Sequence, residues 1–248
     1  MPRYWIGMVL AILMAGASPV WAQGGPPMVT DDPGTPGDGH WEINLATMGS
    51  RTAHRWAVDV FDADINYGWG DRIQLKLDAP WSALRDEDGA WRNGLGAVNA
   101  GVKWRFVDAD DHGFSLSTYP QYLSTWSSVA KRRSVASPDA EFFLPLEIST
   151  EAGGFEFAGE VGRNFVEREN DEWEAGAVVS HACADDVECL VEVRRMWNAG
   201  ETQSLLNLGV HWKLNEQLIF LAAAGREFGT RSDSQQRFLF YAGFQILR

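Results

Sequence analysis

After residue 22 the sequence contains no run of about 20 apolar residues, so no membrane-spanning helix is expected in the body of the chain. It has no linker, so its 248 residues read as one large domain. Basic residues are few. Lys and Arg number 21 against 34 Asp and Glu, a net charge of −13, or −14 without Arg3 of the leader described below. That balance argues against nucleic acid as a partner. No Gly-x-Ser-x-Gly elbow is present around any serine, and Gly94-Leu95-Gly96 lacks the third glycine of a phosphate-cradling loop. Neither catalysis nor a cofactor is expected.

What the sequence does contain begins with an export leader. Arg3 supplies a positive start, residues 5–17 are apolar, and Val20-Trp21-Ala22 fits a small-residue cleavage site. Residues 1–22 are therefore expected to be a signal peptide rather than a membrane anchor, since the apolar run is short for a span. Residues 23–39, rich in Pro, Gly and Asp, read as an irregular periplasmic lead-in.

From residue 40 the pattern changes to strict alternation. Around Gly68 and Gly70, Ala63, Ile65 and Tyr67 alternate with Asp62, Asp64 and Asn66. Beyond the turn, Ile73, Leu75 and Leu77 alternate with Gln74, Lys76 and Asp78. Period two puts one set on each face of a hairpin. The same reading gives twelve strands, near residues 40–51, 56–67, 73–79, 95–106, 114–123, 140–149, 155–164, 172–181, 188–196, 204–214, 218–225 and 237–247. Trp56, Val58 and Val60 share parity with Asp62 and Asp64, which predicts a β-bulge near Val60 and Phe61. Pro120 predicts a distorted strand.

A sandwich would turn the apolar faces inward, whereas an outer-membrane barrel turns them to lipid. Strand length favours the barrel, being near the 9–11 residues that cross a bilayer at a tilt. So does the alternation of short turns (67–71, 150–154, 214–217) with longer loops (81–94, 123–138, 164–171, 226–236), with 52–55 as a short exception. Aromatic residues fall at strand ends. Trp69, Trp104, Phe106, Trp212 and Phe244 are expected in a periplasmic belt, and Trp56, Trp81, Trp173 and Trp197 in an outer one. The expected fold is an all-β, single antiparallel transmembrane β-barrel of about twelve strands in an up-and-down meander, formed by residues 40–248.

Inverted polarity assigns Asp62, Asp64, Lys76, Asp78, Lys103, Arg105, Glu192 and Arg194 to the lumen. They fit either a packed ionic network or a selective conduit, whose acidic excess disfavours anionic solutes. Centring the hairpin on Asp186 sets Cys183 opposite Cys189 and Val179 opposite Val193, and an oxidising compartment then predicts a disulfide. A metal site from His181 and the two thiolates lacks a fourth ligand, so none is expected. Asp108-Ala109-Asp110-Asp111-His112 reads as a solvated turn rather than a cation loop. Lys131, Arg132 and Arg133, the one basic cluster, lie in the longest outer loop, where guanidinium groups suit lipopolysaccharide phosphates.

Several segments carry a family resemblance: Thr30-Asp31-Asp32-Pro33, Gly39-His40-Trp41-Glu42, Ile65-Asn66-Tyr67-Gly68, Leu77-Asp78-Ala79-Pro80 and Gly101 to Phe106. Phe143-Leu144-Pro145-Leu146, Leu206-Asn207-Leu208-Gly209, Ala224-Gly225-Arg226 and Tyr241 to Gln245 continue it. Together they resemble the MetA-pathway of phenol degradation family of outer-membrane barrels. The resemblance implies a porin-like channel or transporter for small solutes, aromatic and hydrophobic ones among them, in the outer membrane of a Gram-negative-type cell. Its surroundings would be outer-membrane lipid and lipopolysaccharide. A structural or adhesive barrel with a plugged lumen stays open as an alternative, and a lipid-modifying enzyme as a third. Such chains usually end on an aromatic residue, whereas this one ends Ile246-Leu247-Arg248.

Overall fold

The computed structural model describes residues 25–87, 89–230 and 233–248. The expected signal peptide lies outside them. Twelve antiparallel strands follow one another around a closed cylinder. They are β1 (Trp41–Arg51), β2 (Arg55–Trp69), β3 (Ile73–Asp86), β4 (Arg92–Leu95 and Val98–Val107), β5 (Phe114–Thr118 and Gln121–Ser124) and β6 (Glu141–Ala152). The second half comprises β7 (Phe155–Val166), β8 (Glu172–Ala184), β9 (Val187–Asn198), β10 (Glu201–Asn215), β11 (Leu218–Gly229) and β12 (Phe238–Leu247). β12 closes on β1, from Glu42 opposite Leu247 to Arg51 opposite Phe238. Closure leaves no unpaired edge, the condition for a sheet to survive in lipid.

Both pieces of β4 pair with β3, and both pieces of β5 pair with β4 and β6, so each broken pair is one strand of the wall. The break in β5 falls at Tyr119-Pro120, where proline has no N–H for the ladder. The bulge of β2 is also present: Asp59 faces Ser82 and Phe61 faces Trp81, leaving Val60 as the extra residue. Val60 and Phe61 both point outward, which puts Trp56 and Val58 on the outer face without turning Asp62 or Asp64 out.

One loop is shorter than its sequence suggests. Residues 81–94 are mostly strand, because β3 continues to Asp86 and β4 starts at Arg92. Pro80 and the charges after it read as loop, yet those charges pair across the ladder. Arg55 bonds Asp86 at 2.8 Å, Arg92 bonds the same carboxylate at 2.5 Å, and Arg85 lies over the Trp91 ring. The longest connection, after Ser124, carries the helix α2 (Ser128–Arg132), capped by Ser127. Longer loops gather at this loop end. The opposite, turn end has tight turns and the one-turn helix α1 (Ala109–His112).

Outside, large apolar side chains form a continuous exposed belt, including Leu77, Leu146, Val193 and Leu208. Trp69, Trp104, Trp212 and Phe244 collar the turn end, and Trp81 and Trp173 stand towards the loop end. Inside, most buried side chains are polar or charged. The wall from β7 to β12, with β1, adds an apolar patch around Val178, Leu190, Leu221 and Tyr241.

Cys183 and Cys189 are bonded to each other. Their register differs from the one expected. Cys189 faces His181, Val179 faces Val191, and the ladder shifts between Ala182 and Ala184. Cys183 sits in that irregularity and reaches its partner diagonally, so the bridge forms without the centred hairpin. Reducing it should lower stability by about 2 kcal/mol, the loop-closure entropy of so short a loop. Urea midpoints with and without reductant measure this, and equal midpoints would show the bridge to be idle.

Candidate functional site

The chain before β1 occupies the cylinder. It enters at the turn end, where Gly39 donates to the Gly68 carbonyl at 3.0 Å and the Asp38 carboxylate accepts from the Gly70 N–H at 2.9 Å. Thr35 donates to the Asp71 carbonyl at 2.9 Å on the same rim. From there the strap, residues 25–39, runs up between two charged clamps on opposite walls.

The first clamp is Lys103 on β4, 2 % exposed. Its ammonium bonds the Asp31 carboxylate at 2.9 Å and the Asp32 carbonyl, stands 3.6 Å from Glu147 on β6, and lies over the Tyr119 ring. Burial pushes the Asp31 carboxyl up, but Lys103 and then Lys76 outweigh it and hold it below its ordinary value of 3.8. The second clamp is Glu192 on β9, fully buried. One carboxylate oxygen accepts the Thr30 N–H at 2.6 Å and the Val29 N–H at 3.1 Å, while the other accepts the Asn207 amide at 3.2 Å. Beside it, Arg194 bonds Glu160 at 2.5 Å and also Glu174, and reaches the Thr30 hydroxyl at 3.5 Å.

Met28 then lodges in the apolar patch. Its sulfur lies 3.7 Å from the Asn207 amide, and a Cβ on Gly209 would meet its methyl carbon at 2.1 Å. Gly176 plays the same part for Thr30, whose hydroxyl oxygen lies 1.9 Å from where a Cβ would stand. Both strands are bare of side chain where the strap crosses them. Gly176→Val should therefore unseat the strap at a cost of roughly 1–3 kcal/mol. Protease added from the turn side then cuts residues 25–39 faster than in the parent, and equal cutting rates would contradict this packing.

The eight lumen candidates are distributed as follows. Asp62, Asp64, Lys103, Glu192 and Arg194 are buried in the interior. Lys76 pairs with Asp64 at 3.3 Å, and Asp78 stands opposite Asp64 in the β2–β3 ladder. Arg105 is nearer the rim, 3.3 Å from Asp108 and 2.8 Å from the Asp71 carbonyl. Asp108 caps α1 through the Asp110 N–H, and among the described residues no three His, Cys, Asp or Glu converge on a metal. Lys131, Arg132 and Arg133 are exposed on and just after α2 at the loop end, away from the lumen. Glu147, Glu160, Tyr119 and Asn207 belong to the interior set as well. The two glutamates alternate with outward-facing Leu146 and Ile148 on β6 and Phe157 and Val161 on β7, so alternation alone could have found them.

Between the clamps and the turn end lies a cavity of about 850 Å³, lined by Glu42, Asp64, Gln74, Lys76 and Lys103, by Asp108 to Asp110 and Thr150 near the rim, and by the strap itself at Asp31 and Asp32. A polar vestibule therefore leads to a point where a strap of the same chain stands across the path.

Neither a protein-family model nor a curated protein sequence matches the chain. Solved structures do. An outer-membrane channel from Pseudomonas putida superposes with a TM-score of 0.71 at 8% identity, over 85% of this chain and 96% of that one. The KdgM porin gives 0.56 at 9% identity, over 83% and 98% of the two chains. The NanC porin gives 0.52 at 9%, over 82% and 98%. At these identities the likeness is one of fold.

Proposed function

We propose that this chain is a porin-like outer-membrane channel for small solutes, oriented with its turn end in the periplasm and its loop end outside. One observation carries the reading: an exposed apolar belt with aromatic residues towards both ends surrounds a charged interior that opens into an 850 Å³ vestibule. Residues 1–22 serve as the export leader. The resemblance to the MetA-pathway of phenol degradation family fits this assignment, since Thr30-Asp31-Asp32, the first of its segments, is the part of the strap that the clamps hold. The apolar patch inside the wall offers a surface to aromatic and hydrophobic solutes. Catalysis is not proposed. His54 pairs with Glu87 at the loop end, and His181 and His211 stand near the turn end with the Gly154 carbonyl and Glu188.

Reconstitution in planar bilayers tests the channel. Discrete conductance steps are expected, with the seated strap keeping them infrequent. A folded, heat-modifiable protein that stays silent favours the second reading, a plugged structural barrel, for which the two buried clamps are the specific support. At the loop end, Lys131, Arg132 and Arg133 are proposed to contact lipopolysaccharide phosphates. Changing all three to Ser should weaken lipopolysaccharide retention, and unchanged retention removes the contact.

A further inference from the structure

Glu192 is fully buried, and the donors on it are neutral: the amides of Val29 and Thr30 and the side-chain amide of Asn207. Among the described residues the interior cations bond elsewhere, Lys76 to Asp64, Lys103 to Asp31 and Glu147, and Arg194 to Glu160 and Glu174. A buried carboxylate is costly unless a cation answers it. Directly beside it, bridged by Asn207, lies the apolar socket that Met28 fills between Gly209 and the Leu190, Leu221 and Val178 side chains. The strap thus presents nitrogen donors to a carboxylate and a flexible apolar arm to the adjoining pocket.

We infer that the strap stands in for the transported solute, and that the conduit takes small amphipathic amines, with the protonated nitrogen on Glu192 and the apolar body in the Met28 socket. This rests on the channel reading above and narrows its solutes to one chemical class. An ammonium satisfies Glu192 better than two amides do, because it brings a full opposite charge to the buried carboxylate as well as a hydrogen bond. A carboxylate-bearing solute of the same shape meets Glu192 as a like charge. A neutral alcohol gains the socket but leaves the carboxylate without a cation.

The test compares three solutes of one shape, phenethylamine, phenylacetate and 2-phenylethanol, entering vesicles that hold the full mature chain, each corrected for protein-free vesicles. The amine should enter roughly tenfold faster than the anion, the discrimination that a preference of about 1.4 kcal/mol at Glu192 gives. Glu192→Gln keeps an acceptor for the strap amides and should remove most of that gap. The unaltered chain offers a second measurement: raising the pH until the amine is uncharged should bring its rate down to that of the alcohol. If phenylacetate or the alcohol enters as fast as the protonated amine, the inference is wrong while the channel stands. If none of the three enters through a folded barrel, the channel reading falls and takes this one with it.

Discussion

Lys103→Ala should lower the stability of the folded barrel by about 3–5 kcal/mol, the largest loss expected of a single substitution here. The Lys103 ammonium is shared by Asp31 on the strap and Glu147 on β6, and it also bonds the Asp32 carbonyl. Removing it leaves Glu147, fully buried, without its cation and takes from Asp31, at the edge of the vestibule, its nearest one. Urea titration of the barrel in lipid vesicles measures the loss. Adding Glu147→Gln to the variant should recover part of it, because one of the stranded charges is then gone. An unchanged midpoint in the single variant would mean that the interior is wetter than its burial indicates.

The same pair has a response to acid of its own. The Asp31 carboxyl is held below its ordinary value, so its contribution is present above that value and disappears only as pH falls through the lower, folded one. The Asp31–Lys103 tie should therefore stay intact as pH is lowered from neutral to about 5, well above that value, and the strap should stay seated as far as this tie holds it. Opening within that interval would show that some other group holds the strap.

Glu192→Ala acts on gating rather than on the wall. Two strap amides, those of Val29 and Thr30, lose their acceptor, at about 1–3 kcal/mol each when they stay buried. A net weakening of roughly 3 kcal/mol raises the population with the strap out about a hundredfold. Open events in a planar bilayer should become more frequent by that order while the barrel keeps its heat-modifiable migration. If the events are as rare as in the parent, the strap is not what limits flow.

The cylinder was legible in the sequence because its information is local. Each strand states its own two faces: Leu144, Leu146 and Ile148 point out while Pro145 and Glu147 point in, whatever the neighbouring strands do. Even the Val60 bulge could be inferred from a clash of parity within one strand. The strap could not be read that way. Residues 25–39 have no periodicity, and Thr30 meets Glu192 across 162 positions of sequence, so composition marked them as irregular without saying where they lie. The extensions of β3 and β4 were hidden for a different reason. Asp86 and Arg92 carry loop chemistry as single residues and become strand residues only when each finds the other. For the cysteines, the pairing followed from proximity in sequence, but the shift at Ala182 moved the register by an amount no local pattern records.

The strap is joined directly to β1, and β1 is zipped on its other edge to β12, with Trp41 and Arg248 exchanging both backbone bonds at the seam. The chamber that receives Met28 has walls from β7 to β12 as well as β1. That chamber does not exist until the final hairpin has docked against the first strand. The earliest part of the described chain to leave the ribosome thus cannot reach its full seat before the cylinder closes, which ties the stopper to the seam.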